Sequence, residues 1–169
     1  MSMAVRLHIN ISTTGRNAKD EFKIKRKTGI PGENAKGVID ADELFEKAAR
    51  DTGFHLKGET LVIGGTDSAF KAALLAVRCR SEKVTIVCPE RTGEMRASAE
   101  LIAQAEQNGV RTIHGWGPSR IDVHTDGLVS GALFKRCTRA YDDEGRFSPV
   151  YDEENIMGQY CDNLILAID

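Results

Sequence analysis

Gly64, Gly65, Thr66, Asp67 and Ser68 form the stretch of this sequence best suited to chemistry, and the chemistry is anion binding. Three apolar β-formers, Leu61, Val62 and Ile63, precede them, and a helix-like segment follows at once. A strand, a tight turn and a helix N-terminus in that order present backbone N–H groups to a dinucleotide pyrophosphate. In such a loop the first glycine makes the turn, the second lets the backbone approach the phosphates, and the third position stays small for helix–strand packing. Gly64 takes the first role and Ala69 the third. Thr66 stands at the second, where its β-branch occupies space near the phosphates and its hydroxyl can hydrogen-bond a phosphate oxygen instead. Asp67 brings a carboxylate that either competes for the anion site or caps the helix. Ser68 offers a hydroxyl or its N–H to the phosphates.

A second polar group ends the following strand, at Cys88-Pro89-Glu90-Arg91, with Arg96 shortly after. In a dinucleotide site an acidic residue about 20 positions beyond the glycines takes the ribose of NAD, whereas a basic one takes the 2′-phosphate of NADP. Glu90 suits ribose hydroxyls, and Arg91 and Arg96 suit the phosphate. Each of the three also reads as a surface charge. Gly115, after the third strand, would border the adenine. No side chain stands out as an acid, base or nucleophile, so no catalytic residue is assigned.

The elements that must position these residues alternate. Leu61 to Ile63 is a strand and Asp67 to Arg78 a helix, with Ala69, Ala72, Ala73 and Ala76 near one side. Val84 to Cys88 is a nearly continuous apolar strand, as a parallel strand covered on both faces should be. Ala97 to Gln107 is a helix stopped by Asn108-Gly109, and Val110 to His114 a third strand. This order predicts a parallel sheet with right-handed crossovers. Upstream, Asp40 to Asp51 is a helix capped by Asp40, with Glu43 at the capping-box position. Downstream, Ile121 to His124, Leu128 to Tyr141 and Phe147 to Tyr151 read as antiparallel strands, with a turn at Asp142-Asp143-Glu144-Gly145. Leu164 to Ile168 is a last buried strand. At the other end, Val5, Leu7, Ile9 and Ile11 alternate with polar residues as a half-buried strand. The basic stretch from Arg16 to Lys27, interrupted by Asp20 and Glu21, reads as a solvated connector, and Gly29 to Glu33 as a turn.

Composition narrows the class. The 169 residues are 41% hydrophobic and 28% charged, with a net charge of −2. That suits one globular domain and gives no bulk basic field for nucleic acid. No apolar run approaches the roughly 20 residues of a membrane span. Residues 1–11 lack the continuous apolar core of a signal peptide, so a cytoplasmic protein is expected. Cys79, Cys88, Cys137 and Cys161 lie far apart with no C-x-x-C, and the four histidines show no metal-ligand spacing, so no metal site is assigned. The cysteines are expected to be reduced, buried and small-hydrophobe-like.

In these residues the chain resembles the pyridine-nucleotide-binding domain of two-dinucleotide flavoproteins. It is most similar to the glutamate synthase small-subunit group and more distantly to thioredoxin reductase. Thr13-Thr14-Gly15 resembles the Ala-Thr-Gly that closes the flavin domain. Gly29 to Glu33 with Gly37-Val38-Ile39 is similar to the group's connector. Ile63 to Ala69 resembles its glycine loop, and Val84 to Arg91 with Gly93-Glu94-Met95-Arg96-Ala97 its next strand and Glu-Met-Pro-Ala. Gly145-Arg146 and Pro149 resemble its late hairpin, and Leu164 to Ile168 its returning strand.

The resemblance implies an α/β fold: a Rossmann-like parallel sheet with flanking helices and an antiparallel β-meander, the three-layer ββα arrangement of FAD/NAD(P)-binding domains. It implies an inter-domain connector over residues 1–36 and an NAD(P)-binding domain over 37–169. Thr66 replaces the group's third consecutive glycine, and Pro89 and Glu90 replace its paired arginines, which favours NAD(H) over NADP(H). FAD would belong to a longer parent and not to this chain, because no flavin-binding glycine motif precedes residue 61. The implied function is to position nicotinamide for hydride transfer to or from a flavin held by another domain. Partners would be that flavin domain and iron–sulfur electron-transfer subunits, with the chain a fragment or excised domain. The alternative is a degenerate Rossmann domain with a structural or docking role, motivated by Thr66 and Asp67.

Overall fold

The computed structural model describes residues 27–168. The expected strand over Val5 to Ile11, the Thr13-Thr14-Gly15 match and most of the basic stretch lie outside the described residues.

Five parallel strands form the central sheet. They are β1 (Val38–Asp40), β2 (Glu59–Ile63), β3 (Lys83–Cys88), β4 (Arg111–His114) and β8 (Asn163–Leu166), in the order β1-β8-β2-β3-β4. Helices α1 (Ala41–Arg50), α2 (Asp67–Arg78) and α3 (Ala99–Gln107) connect the first four. Strands β5 (Trp116–Val123), β6 (Val129–Tyr141) and β7 (Phe147–Tyr160) form a separate antiparallel sheet in sequence order. This is the α/β architecture expected, a parallel sheet with helices and an antiparallel meander.

Period-two geometry divides the central strands between two cores, because successive side chains point to opposite faces. Val62, Ile86 and Ile165 pack with Leu44 of α1 and Ala69, Phe70, Ala73 and Ala76 of α2. Leu61, Ile63, Val87, Leu164 and Leu166 face the other way, against Ile121, Val129, Ala132 and Phe134 of the meander. Both faces are covered, so Leu61, Val62 and Ile63 are each at most 1% exposed. That is why these strands read as unbroken apolar runs. The alanines of α2 let the helix lie close to the sheet.

The element boundaries follow local chemistry. Asp40 Oδ1 accepts from the Glu43 N–H at 2.7 Å, which starts α1. Helix α3 begins at Ala99 rather than Ala97, because Ser98 is its cap and accepts from the Leu101 N–H. Strand β1, three residues pairing with β8 from Val38↔Leu164 to Asp40↔Leu166, is too short for any periodicity to reveal. Strand β5 starts at Trp116, five residues earlier than the pattern predicts. Pro118 is tolerated there because β5 is an edge strand. Strand β7 runs on to Tyr160, through the polar Asp152-Glu153-Glu154, because it is the opposite edge and faces solvent. The turn at Asp142 forms as expected, with Asp142 Oδ1 accepting from the N–H groups of Glu144 and Arg146.

Residues 27–36 pack on the meander. The Pro31 carbonyl accepts from the Ile121 N–H, and Lys36 exchanges hydrogen bonds with Gly127 and Val129. All four cysteines are buried free thiols. No helix among the described residues is long and apolar enough to cross a membrane.

Candidate functional site

The C-terminal ends of β2, β3 and β8 meet at a cavity of about 600 Å³. The carboxyl ends of parallel strands are where open α/β sheets bind ligands, and the volume falls within the range of small-molecule sites.

Its floor is the glycine loop. Gly64 has φ +146°, and a Cβ there would stand 2.3 Å from the Ala167 carbonyl oxygen. No other residue fits, because β8 comes too close. The Gly64 N–H donates to the Val87 carbonyl at 3.1 Å, and the Ala167 N–H to the Ile63 carbonyl at 2.9 Å, so the start of the loop is tied on both sides. Ala69 is fully buried, and its Cβ lies 3.3 Å from where a Gly64 side chain would begin. Small size at that helix position is thus a packing requirement.

Thr66 is the residue before α2, with φ −98°, an ordinary extended backbone. Nothing in its conformation calls for glycine, and its β-branch stands in the wall of the cavity. Its carbonyl accepts from the Ala69 N–H at 3.0 Å.

Glu90 is the dominant charge. It is only 4% exposed, and its carboxylate lies directly over the loop, with Oε2 2.5 Å from where a Gly65 Cβ would be. Oε1 accepts from the Tyr141 hydroxyl at 3.4 Å, and Oε2 has no partner among the described residues. A buried, unpaired carboxylate oxygen is costly, by about 1–3 kcal/mol or more for a charged group. A ligand that brings a hydrogen-bond donor to this point would relieve that cost.

Arg96 stands at the mouth. Its guanidinium donates to the Gly145 carbonyl and lies over the Tyr141 ring, 4.4 Å from the centroid. Tyr141, Phe147 and Tyr151 supply aromatic wall. Burial first, then the Glu90 charge, raises the Tyr141 phenol. Burial pushes Tyr151 up to about 12. The Cys88 thiol, behind Glu90, is likewise pushed up to about 12 by burial, so it stays protonated and is no nucleophile at neutral pH.

Of the candidate residues, Gly64, Gly65, Thr66, Glu90 and Arg96 come together around the cavity. Asp67, Ser68, Arg91 and Gly115 do not line it. Asp67 is turned aside: its Oδ1 accepts from the Ser98 N–H at 2.7 Å, joining the start of α2 to the start of α3. Ser68 sits half-buried in the first turn of α2. Arg91 is exposed and donates to the Thr138 carbonyl at 2.7 Å. Gly115, at φ +83°, ties the segment after β4 to the end of β3, its N–H donating to the Cys88 and Glu90 carbonyls.

Sequence reasoning missed Tyr141, Phe147, Tyr151 and Pro118, all from the meander. Tyr141 is 51 residues from Glu90 in the chain. No local motif marks such residues, because only the packing of the second sheet on the first brings them in.

No family model matches the chain. Among solved structures it is similar to Lactococcus lactis thioredoxin reductase in its FR conformation, with a TM-score of 0.58 and 22% identity over 86% of this chain and 42% of that one. It is similar to Mycobacterium tuberculosis FprA in complex with NADPH, with a TM-score of 0.62 and 13% identity over 85% of this chain and 47% of that one. A third is thioredoxin reductase from Giardia duodenalis, with a TM-score of 0.60 and 19% identity over 86% and 40%. The chain spans less than half the length of each. At these identities the likeness is one of fold: the chain has the α/β fold of FAD/NAD(P)-binding domains.

Proposed function

We propose that this domain binds a pyridine dinucleotide, NAD(H) in preference to NADP(H), and positions its nicotinamide for hydride exchange with a flavin held by a separate domain. The observation that carries the reading is the Glu90 carboxylate, buried over Gly65 with one oxygen unpaired among the described residues. A vicinal ribose diol supplies two donors to such a carboxylate, whereas a 2′-phosphate would bring negative charge against it. The glycine loop and the first turn of α2 supply N–H groups to the pyrophosphate, and the aromatic residues supply apolar wall. Asp67, Ser68, Arg91 and Gly115 act, on this reading, from behind the loop or at its rim. The bound cofactor would supply the hydride chemistry, and this chain the positioning. One neighbour of the same fold is in complex with NADPH, which supports a dinucleotide here. The parent we infer is a flavoprotein of the glutamate synthase small-subunit type, supported by the connector and Glu-Met motifs noted above.

Titration with NADH and NADPH, followed by calorimetry, tests the proposal. NADH is expected to bind more tightly by at least about ten-fold, since one charge-assisted hydrogen bond gained and one repulsion avoided amount to about 1.4 kcal/mol or more. Tighter binding of NADPH would sink the Glu90 assignment, and no binding of either at millimolar concentration would sink the whole reading. A second reading, a domain that has lost its cofactor and serves as a docking scaffold, is favoured by Thr66 in the cavity wall. Thr66→Gly separates the two: gain of binding by that variant in an otherwise silent protein identifies steric loss.

A further inference from the structure

Tyr141 belongs to no sequence motif, yet it touches two of the charged side chains that line the cavity, Glu90 and Arg96, the third being Lys27. Its hydroxyl donates to Glu90 Oε1 at 3.4 Å, and its ring carries the Arg96 guanidinium at 4.4 Å from the centroid. Phe147 meets the ring edge-on, with centroids 5.7 Å apart and planes at 71°. Arg96 is held a second time by the Gly145 carbonyl, in the turn that follows Tyr141 in the chain.

We propose that Tyr141 is the positioning residue that sets the cofactor preference of the cavity, holding Glu90 over the glycine loop and holding Arg96 apart from it at the mouth. This rests on reading the cavity as a pyridine-dinucleotide site. The physical reason is that the two charged groups would otherwise cancel. A buried carboxylate without a donor seeks a cation, and an Arg96 released from the ring is a guanidinium able to meet either Glu90 or a phosphate through two parallel hydrogen bonds. Tyr141 is the sole side chain among the described residues that hydrogen-bonds the Glu90 carboxylate, and its ring keeps the guanidinium occupied. Glu90 thus stays available for ribose hydroxyls, and Arg96 stays away from a 2′-phosphate. The charged groups that act on Tyr141 itself are Glu90, Arg96 and Glu94.

Tyr141→Phe keeps the ring and removes the hydroxyl, and Tyr141→Leu removes both. Titrated with NADH and NADPH beside the unaltered protein, Tyr141→Phe should weaken NADH by about three-fold and leave NADPH unchanged, the cost of a long hydrogen bond to a carboxylate. Tyr141→Leu should in addition tighten NADPH. A NADH-to-NADPH ratio the same in Tyr141→Phe as in the unaltered protein overturns the proposal; Tyr141→Phe carries the test if the leucine variant fails to fold. A readout without cofactor checks the contact: in ¹³C-tyrosine NMR, Glu90→Gln should lower the pH at which Tyr141 ionises, and an unmoved midpoint overturns it. An unaltered protein that binds neither cofactor overturns the reading of the cavity and this inference with it. Binding with an unchanged preference in the variants overturns the inference alone.

Discussion

Two adjacent glycines do different work, and the difference is measurable. At Gly64 an added Cβ meets backbone, the Ala167 carbonyl, at a φ of +146° that side chains rarely adopt. At Gly65 it meets the carboxylate of Glu90, the far end of a side chain that can turn. Gly64→Ala should therefore destabilise the fold by about 2–4 kcal/mol, combining strain and overpacking. Gly65→Ala should cost about 1 kcal/mol or less and act mainly on ligand binding by displacing Glu90. Denaturant unfolding of the two variants checks the order, and equal losses would contradict it. The glycine pair was legible from sequence as a loop. Which glycine faces a strand and which faces a carboxylate was not, because Ala167 and Glu90 arrive from elsewhere in the chain.

At the scale of elements, the joint between α2 and α3 decides how Asp67 is understood. Its position in the first turn of α2 suggested either a competitor for anions or a cap for its own helix. Its carboxylate instead receives the Ser98 N–H, while Ser98 caps α3. Asp67→Asn preserves an acceptor and removes the charge, so cofactor affinity should rise by no more than about five-fold, the limit of a helix-terminus charge effect near 1 kcal/mol. Ser98→Ala should lose about 1 kcal/mol of stability through the lost cap. Calorimetric titration and thermal melts test these together; a larger gain for Asp67→Asn would mean that the carboxylate does face the anion site. The helices themselves were readable from caps and apolar faces. The contact between their starts was not, since it spans 31 residues.

The whole molecule is a sheet buried between helices on one side and a second sheet on the other, and its response to alkali follows from that burial. Cys88 and Cys161 are pushed up to about 12 from an ordinary 9.0, chiefly by burial, and Tyr151 up to about 12 from 10.0. These groups are favoured in their neutral form in the folded state. Their contribution is complete below the unfolded value of 9.0 and is lost as pH rises from there toward 12. The melting temperature should fall steadily above pH 9, the ordinary thiol value, and the slope should flatten in a Cys88→Ala, Cys161→Ala double variant. A slope unchanged in that variant would assign alkaline unfolding to other groups.

Composition and pattern alone determined the class of fold here. Continuous apolar strands alternating with capped helices are satisfied by a parallel sheet covered on both faces, and successive strands joined by turn residues, with no helix between them, by an antiparallel sheet. The glycine loop was equally local, because strand, turn and helix start are adjacent in the chain. Tertiary structure decided what stands around that loop. It placed Glu90 over Gly65, Tyr141 between Glu90 and Arg96, and Ala167 against Gly64, from segments as much as 103 residues apart (Gly64 to Ala167). Such neighbours carry no periodicity and no fixed spacing. They are set by how the meander and β8 return to the sheet, and they make a phosphate-type turn into a cavity with one buried, unpaired carboxylate oxygen.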